Sequence, residues 1–115
     1  MSVLSFEPVT GTVRVVFAGE VVLETRNAVR LKEGGLPPVL YLPREDARME
    51  CFRRTTHKTH CPRKGDAAYY SIEAGGRTAE NAVWTYETPF PTAEPIKGHF
   101  AFYPNRVDRI EVLEG

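Results

Sequence analysis

The chain is poor in the features that most quickly narrow a function. It has two cysteines, Cys51 and Cys61, in 115 residues, and 15 basic residues balance 15 acidic ones. A zero formal charge gives no ground for expecting nucleic acid or a membrane surface as partner. No apolar run is long enough to span a bilayer, and no basic start leads into an apolar run as in a secretory signal. A cytoplasmic location is therefore expected, with reduced thiols and no Cys51–Cys61 disulfide. Repeats, heptads and low-complexity segments are also missing, which excludes solenoids and coiled coils.

What remains is an ordinary globular composition. Hydrophobic residues make up 42% of the chain, enough for one domain over residues 1–115 to bury a core without staples. The charge is unevenly spread. Residues 44–64 hold seven bases and three acids, whereas residues 65–96 hold five acids and one base. Either the first segment presents a basic face to an acidic partner, or the two segments face each other and cancel.

The local signals are those of strands. TVRVVF (12–17) alternates, with Val13, Val15 and Phe17 on one face, and Ala18-Gly19 turns it into EVVLE (20–24). NAVRL (27–31) is a short apolar run that Gly34-Gly35 ends. LPPVLYL (36–42) reads as a strand whose prolines belong at its start or at a sheet edge. PREDARM (43–49) predicts the one short helix, with Pro43 opening it and Glu45 and Asp46 at its positive end. AAYYSIEA (67–74) alternates, Gly75-Gly76 marks a tight hairpin, and RTAENAVWTYE (77–87) returns with Glu80, Ala82, Trp84 and Tyr86 on one face. The proline-rich TPFPTAEP (88–95) is a loop. GHFAFY (98–103) and RVDRIEVLE (106–114) add two more apolar, strand-like stretches. The fold class expected is mainly β, a small antiparallel sandwich or partly open barrel with one short helix.

Four stretches stand out as motifs: YLPREDARM, THCPRKGDAAYYSI, ENAVWTYETPFP and AFYPNRVD. In this order and at these separations they resemble a bacterial family known as domain of unknown function 427, sometimes given a nucleotidyltransferase-like name. The resemblance runs from about residue 12 to residue 112. It implies a β-tent-like fold, in which two antiparallel sheets lean together and meet at one edge, as in methionine sulfoxide reductase B and the ligand-binding domain of cereblon. It implies no catalytic residues. Many β-tent proteins hold zinc between two C-x-x-C knuckles, and this chain has no C-x-x-C, so no structural zinc is expected.

Candidate chemistry concentrates in TTHKTHCPRKGDAAYY (55–70), read as a polar loop leading into a strand. His57, His60 and Cys61 offer metal-ligand atoms, but their spacing matches no standard zinc pattern and no metal or other cofactor is assigned. Cys61 between His60 and Lys64 has a cationic neighbourhood that could favour a thiolate, which makes His60 and Cys61 the candidates for catalysis. The alternative is a small buried thiol before Pro62. Gly65 suits a turn with positive φ, and Lys64 just before it could point at a phosphate or carboxylate. The chain has no P-loop to go with it.

Aromatic residues are numerous, and most must be core. A concave pocket with an aromatic wall and a few polar groups is nevertheless the usual small-ligand site. The ligand-binding candidates are Arg44, His60, Cys61, Lys64, Tyr70, Trp84, Tyr86 and Arg106, with Phe90 stiffened between Pro89 and Pro91 at a rim. Three functional readings follow. One is a domain binding a polar or anionic small molecule between its sheets. The second is an enzyme using His60 as acid/base with Cys61 or water as nucleophile. The third is an interaction module meeting a partner through its 44–64 face. The ligand and the oligomeric state are not legible.

Overall fold

Alternating apolar residues and tight turns yield ten strands in the computed structural model, which describes residues 3–113. They are β1 (Leu4–Pro8), β2 (Thr12–Phe17), β3 (Glu20–Thr25), β4 (Val29–Glu33), β5 (Val39–Pro43), β6 (Phe52–Cys61), β7 (Gly65–Ala74), β8 (Arg77–Thr85), β9 (His99–Phe102) and β10 (Arg109–Leu113). Two antiparallel sheets form, one of seven strands in the order β1-β4-β5-β9-β8-β7-β6 and one of three in the order β10-β2-β3. Ala18 and Gly19 both have positive φ (53° and 75°), as do Gly75 and Gly76 (57° and 75°). Both hairpin turns thus have the handedness that matches strand twist. Among the described residues no helix is long and apolar enough to cross a membrane.

The predicted helix at 43–49 is two single turns of 3-10 helix, Arg44–Asp46 and Met49–Cys51. Between them Ala47 is extended (φ −90°, ψ 147°) and bridges Leu23, and Asp46 accepts a 2.6 Å hydrogen bond from the Thr25 hydroxyl. Tertiary pairing to β3 overrides the helix-start signals. The expected loop over 55–61 belongs to β6, a ten-residue edge strand. Its side chains are largely exposed, so hydrophobic alternation could not reveal it. Charges and an irregular register between Arg54 and Lys58 protect the edge.

The alternation expected for β8 is broken by a bulge. Asn81 has positive φ (50°), and its amide donates to the Ser71 hydroxyl at 3.0 Å. Ala82 and Val83 consequently both join one core, while Trp84 and Tyr86 turn to the other. Glu80 and Ala82 therefore do not continue the Trp84–Tyr86 face as expected.

Two cores lie on opposite faces of the large sheet. The first fills the space between the sheets, where Val13, Val15 and Phe17 of β2 meet Tyr70, Ile72 and Phe100. The second gathers Leu31, Tyr41, Ala67, Tyr69, Tyr86 and Ala101 on the far face, with Ala93 and Ile96 of the proline-rich segment packed on it. β7 is buried on both faces, which is why its adjacent tyrosines serve different cores.

β5 and β9 pair only at Leu42 with Phe100 and Pro43 with His99. In that register Tyr41 would next face Ala101 and Leu40 then Phe102, but neither rung is formed. Upstream β5 follows β4, and downstream β9 follows β8. The large sheet therefore forks here, with its β1-β4-β5 and β9-β8-β7-β6 parts joined by two rungs.

Candidate functional site

The fork opens into a cleft of about 860 Å³, within the range of small-ligand sites. Leu40 and Leu42 of β5 and Phe102 of β9 lie where the strands part, and Ile110 and Val112 of β10 form one lip. Leu36, Pro37, Pro38 and Val39 form the other lip. The two prolines, placed just ahead of β5, keep this lip extended and short of backbone donors. Leu36 and Val112 are exposed, so the mouth is apolar apart from Arg109 of β10.

Aromatic side chains from β5, β7 and β8 and from the residues just beyond β8 and β9 supply the wall. Trp84 lies 4.6 Å from Tyr103, tilted by 46°, and stands edge-on to Tyr41, to whose hydroxyl its indole N–H donates at 3.2 Å. Tyr86 lies 6.5 Å from Tyr41, centroid to centroid. The Tyr69 hydroxyl shares hydrogen bonds with Thr59 (3.0 Å) and Tyr103 (3.5 Å). Burial, only partly opposed by the Trp84 hydrogen bond, pushes the Tyr41 phenol up to about 12. Burial and the neighbouring Tyr41 push Tyr86 higher still, and burial with the Tyr69 hydrogen bond raises Tyr103 to about 12. All three are neutral hydroxyls at any physiological pH.

One end, next to the Leu36 lip, holds the cleft's buried charges. Lys64 Nζ donates to Glu33 Oε1 at 2.8 Å, with Lys64 9% exposed. The ammonium also lies 6.0 Å from the Tyr86 ring centre. Arg63 approaches the other Glu33 oxygen at 3.6 Å. Local chain geometry aims the lysine. Gly65 has φ 112°, and the Phe90 amide donates to the Lys64 carbonyl at 2.9 Å. A Cβ at Gly65 would stand 3.5 Å from Phe90 N and Pro89 Cα, so the proline-rich segment packs onto the turn that presents Lys64. Phe90 thus buttresses the site and is not one of its lining residues.

Of the eight ligand-binding candidates, Lys64, Trp84 and Tyr86 line the cleft together. Tyr70 faces the opposite core, packed 5.0 Å from Phe100. Arg44 lies over Tyr70 and Phe100 and pairs with Glu87 at 3.8 Å. Arg106 is exposed, donates to the Glu80 carbonyl at 2.7 Å and covers Tyr103 from outside. His60 and Cys61, adjacent on β6, leave the strand on opposite faces. His60 meets Asp66 at 2.7 Å in solvent, and Cys61 packs behind the lining, among the second core's aromatics. The two share no reaction centre.

Glu33, Tyr41, Tyr69 and Tyr103 complete the site. Glu33 carried no signal, since it ends a short strand before a Gly-Gly break. The three tyrosines stood among many aromatics, and only strand pairing separates wall from core. Among the described residues, no three His, Cys, Asp or Glu side chains cluster to hold a metal ion.

The 44–64 segment is largely neutralised in place. Arg44 and Arg54 share Glu87, Arg53 meets Glu73, Arg48 reaches Glu20 and Glu50, and Arg63 and Lys64 share Glu33. Of its seven bases only Lys58 has no ion pair among the described residues.

Fold and site define a mainly β domain of two antiparallel sheets, with an aromatic cleft where the larger sheet forks. The chain belongs to the family described as a domain of unknown function (DUF427), which matches residues 5–113. That is the family the four motifs resemble, and the match covers nearly the whole chain. No curated protein matches the chain.

Proposed function

We propose that the domain binds a small molecule in this cleft, with a largely apolar, flat body against Trp84, Tyr41 and Tyr86 and a polar group at the Lys64 end. The observation that carries this reading is the fork itself: an 860 Å³ opening lined by aromatic rings, with its ionic groups confined to one end and the mouth. A sheet that only needed to be stable would continue the β5–β9 ladder. Paired charges over 44–64 leave little field for an acidic partner, and the separation of His60 from Cys61 gives paired catalysis no support. A cytoplasmic placing is part of this proposal, and the two free cysteines agree with a reducing compartment.

The test uses Trp84, the single tryptophan, as reporter. Its emission and the melting temperature are followed against nucleobases, sugar phosphates, organic acids and aromatic fragments. Saturable changes in both are expected for at least one class, since a ligand of the folded state alone stabilises it. Val39→Phe, which narrows the mouth and adds no second tryptophan, should weaken or abolish them. A shift that survives Val39→Phe unchanged would place binding elsewhere.

A further inference from the structure

The hydrogen-bonding groups at the Lys64 end are unbalanced, and the imbalance specifies a ligand head group. Lys64 has three N–H donors and gives one to Glu33. The Tyr41 oxygen accepts from Trp84, which leaves its own O–H to give. Tyr86 lines the cleft, and its hydroxyl has no hydrogen-bond partner among the described residues. These donors belong to one cluster: the Lys64 ammonium lies over the Tyr86 ring, and Tyr86 lies beside Tyr41. The only anionic acceptor nearby, Glu33, is already engaged by Lys64 and by Arg63. The end is thus rich in unused donors, and Arg63, outside the lining, gives the group around Glu33 one positive charge more than negative.

Resting on the reading of the cleft as a binding site, we infer that it takes an apolar monocarboxylate, with the carboxylate at Lys64, Tyr86 and Tyr41 and the body directed to the mouth. A carboxylate offers two oxygens and about four acceptor positions, enough for an ammonium and two phenols. Charge-assisted bonds of this kind are strong where water is excluded. A phosphate dianion would bring a second negative charge with no counter-charge into an apolar wall, which is costly. An amine would repeat the charge of Lys64 and find Glu33 occupied.

Three probes with one body separate these cases: 2-naphthoate, 2-naphthamide and 2-naphthylmethylamine, titrated at pH 7 by Trp84 emission and melting temperature. The expected order is naphthoate tightest, naphthamide next and the amine weakest, with about tenfold or more between first and last. Lys64→Met should bring naphthoate to the level of the amide. Tyr86→Phe, which keeps the ring and the ion pair, should weaken naphthoate and naphthamide several-fold. It keeps the test decisive should Lys64→Met fold poorly. If the amine binds best, or all three bind alike in wild type and Tyr86→Phe, the head-group assignment is overturned while the cleft reading stands. If no probe changes either signal at millimolar concentration, the cleft reading falls and the inference with it.

Discussion

Replacing Lys64 by Met separates the ion pair from the packing around it. Methionine keeps most of the apolar stem that Lys64 buries and removes only the charge. Glu33 is then left 16% exposed with Arg63 at 3.6 Å as its remaining cation. Orphaning one member of a fully buried pair costs about 3–5 kcal/mol. Residual solvent and Arg63 reduce this, so about 2 kcal/mol is expected. With a urea m-value of about 1.5 kcal/mol/M, the midpoint should fall by about 1.3 M. Far-UV circular dichroism and Trp84 emission should report the same transition if unfolding is two-state. Adding Glu33→Gln removes the orphaned charge and should return about 1 kcal/mol of the loss. The reasoning is refuted if Lys64→Met lies within 0.5 kcal/mol of wild type, or if the two substitutions add.

Other expectations concern the tyrosines, the carboxylates and the core. Of five tyrosines, Tyr41, Tyr86 and Tyr103 have raised folded-state values, so the stability they contribute is complete below about pH 10 and is lost as pH climbs towards 12. Tyrosinate absorbance at 295 nm should show Tyr41, Tyr86 and Tyr103 ionising only with alkaline unfolding. Glu87, held below the usual carboxylate range mainly by its hydrogen bonds to Arg54, and Asp108, held down mainly by the Gly19 amide, contribute stability above pH 4–5 that fades as pH falls further. A urea-midpoint series from pH 7 to pH 3 should therefore decline at its acid end, and less steeply in Arg54→Met. Phe100, fully buried among Phe52, Tyr70 and Phe102, should cost about 3–5 kcal/mol on change to Ala, read by chemical denaturation. Asn81→Ala should cost about 1–2 kcal/mol by forcing a positive φ on alanine and removing the side-chain oxygen that the Thr55 hydroxyl contacts at 2.6 Å.

Much of the fold was legible because strand and turn signals are local. Alternation in 12–17 and 67–74, the Ala18-Gly19 and Gly75-Gly76 turns and the four motifs depend on neighbours a few residues apart. Gly65 as a turn with positive φ was legible for the same reason. β6 was not, because an edge strand with exposed side chains has no apolar rhythm. The helix expected at 43–49 failed because Ala47 pairs with Leu23, a partner far off in the chain. The charge imbalance left two readings open, and only the fold shows that Arg53 and Arg54 stand against Glu73 and Glu87.

By itself the sequence determined a mainly β domain, its family, and three of the side chains that meet in the cleft: Lys64, Trp84 and Tyr86. The cleft itself was decided only by tertiary structure. It exists because β5 and β9 part after two rungs, and its two defining contacts join residues 31 apart (Lys64 with Glu33) and 43 apart (Trp84 with Tyr41). No periodicity reaches across such separations. Whether a tyrosine is wall or core depends on which face of a central strand it takes, and for Tyr69 and Tyr70, both buried, only sheet pairing decides.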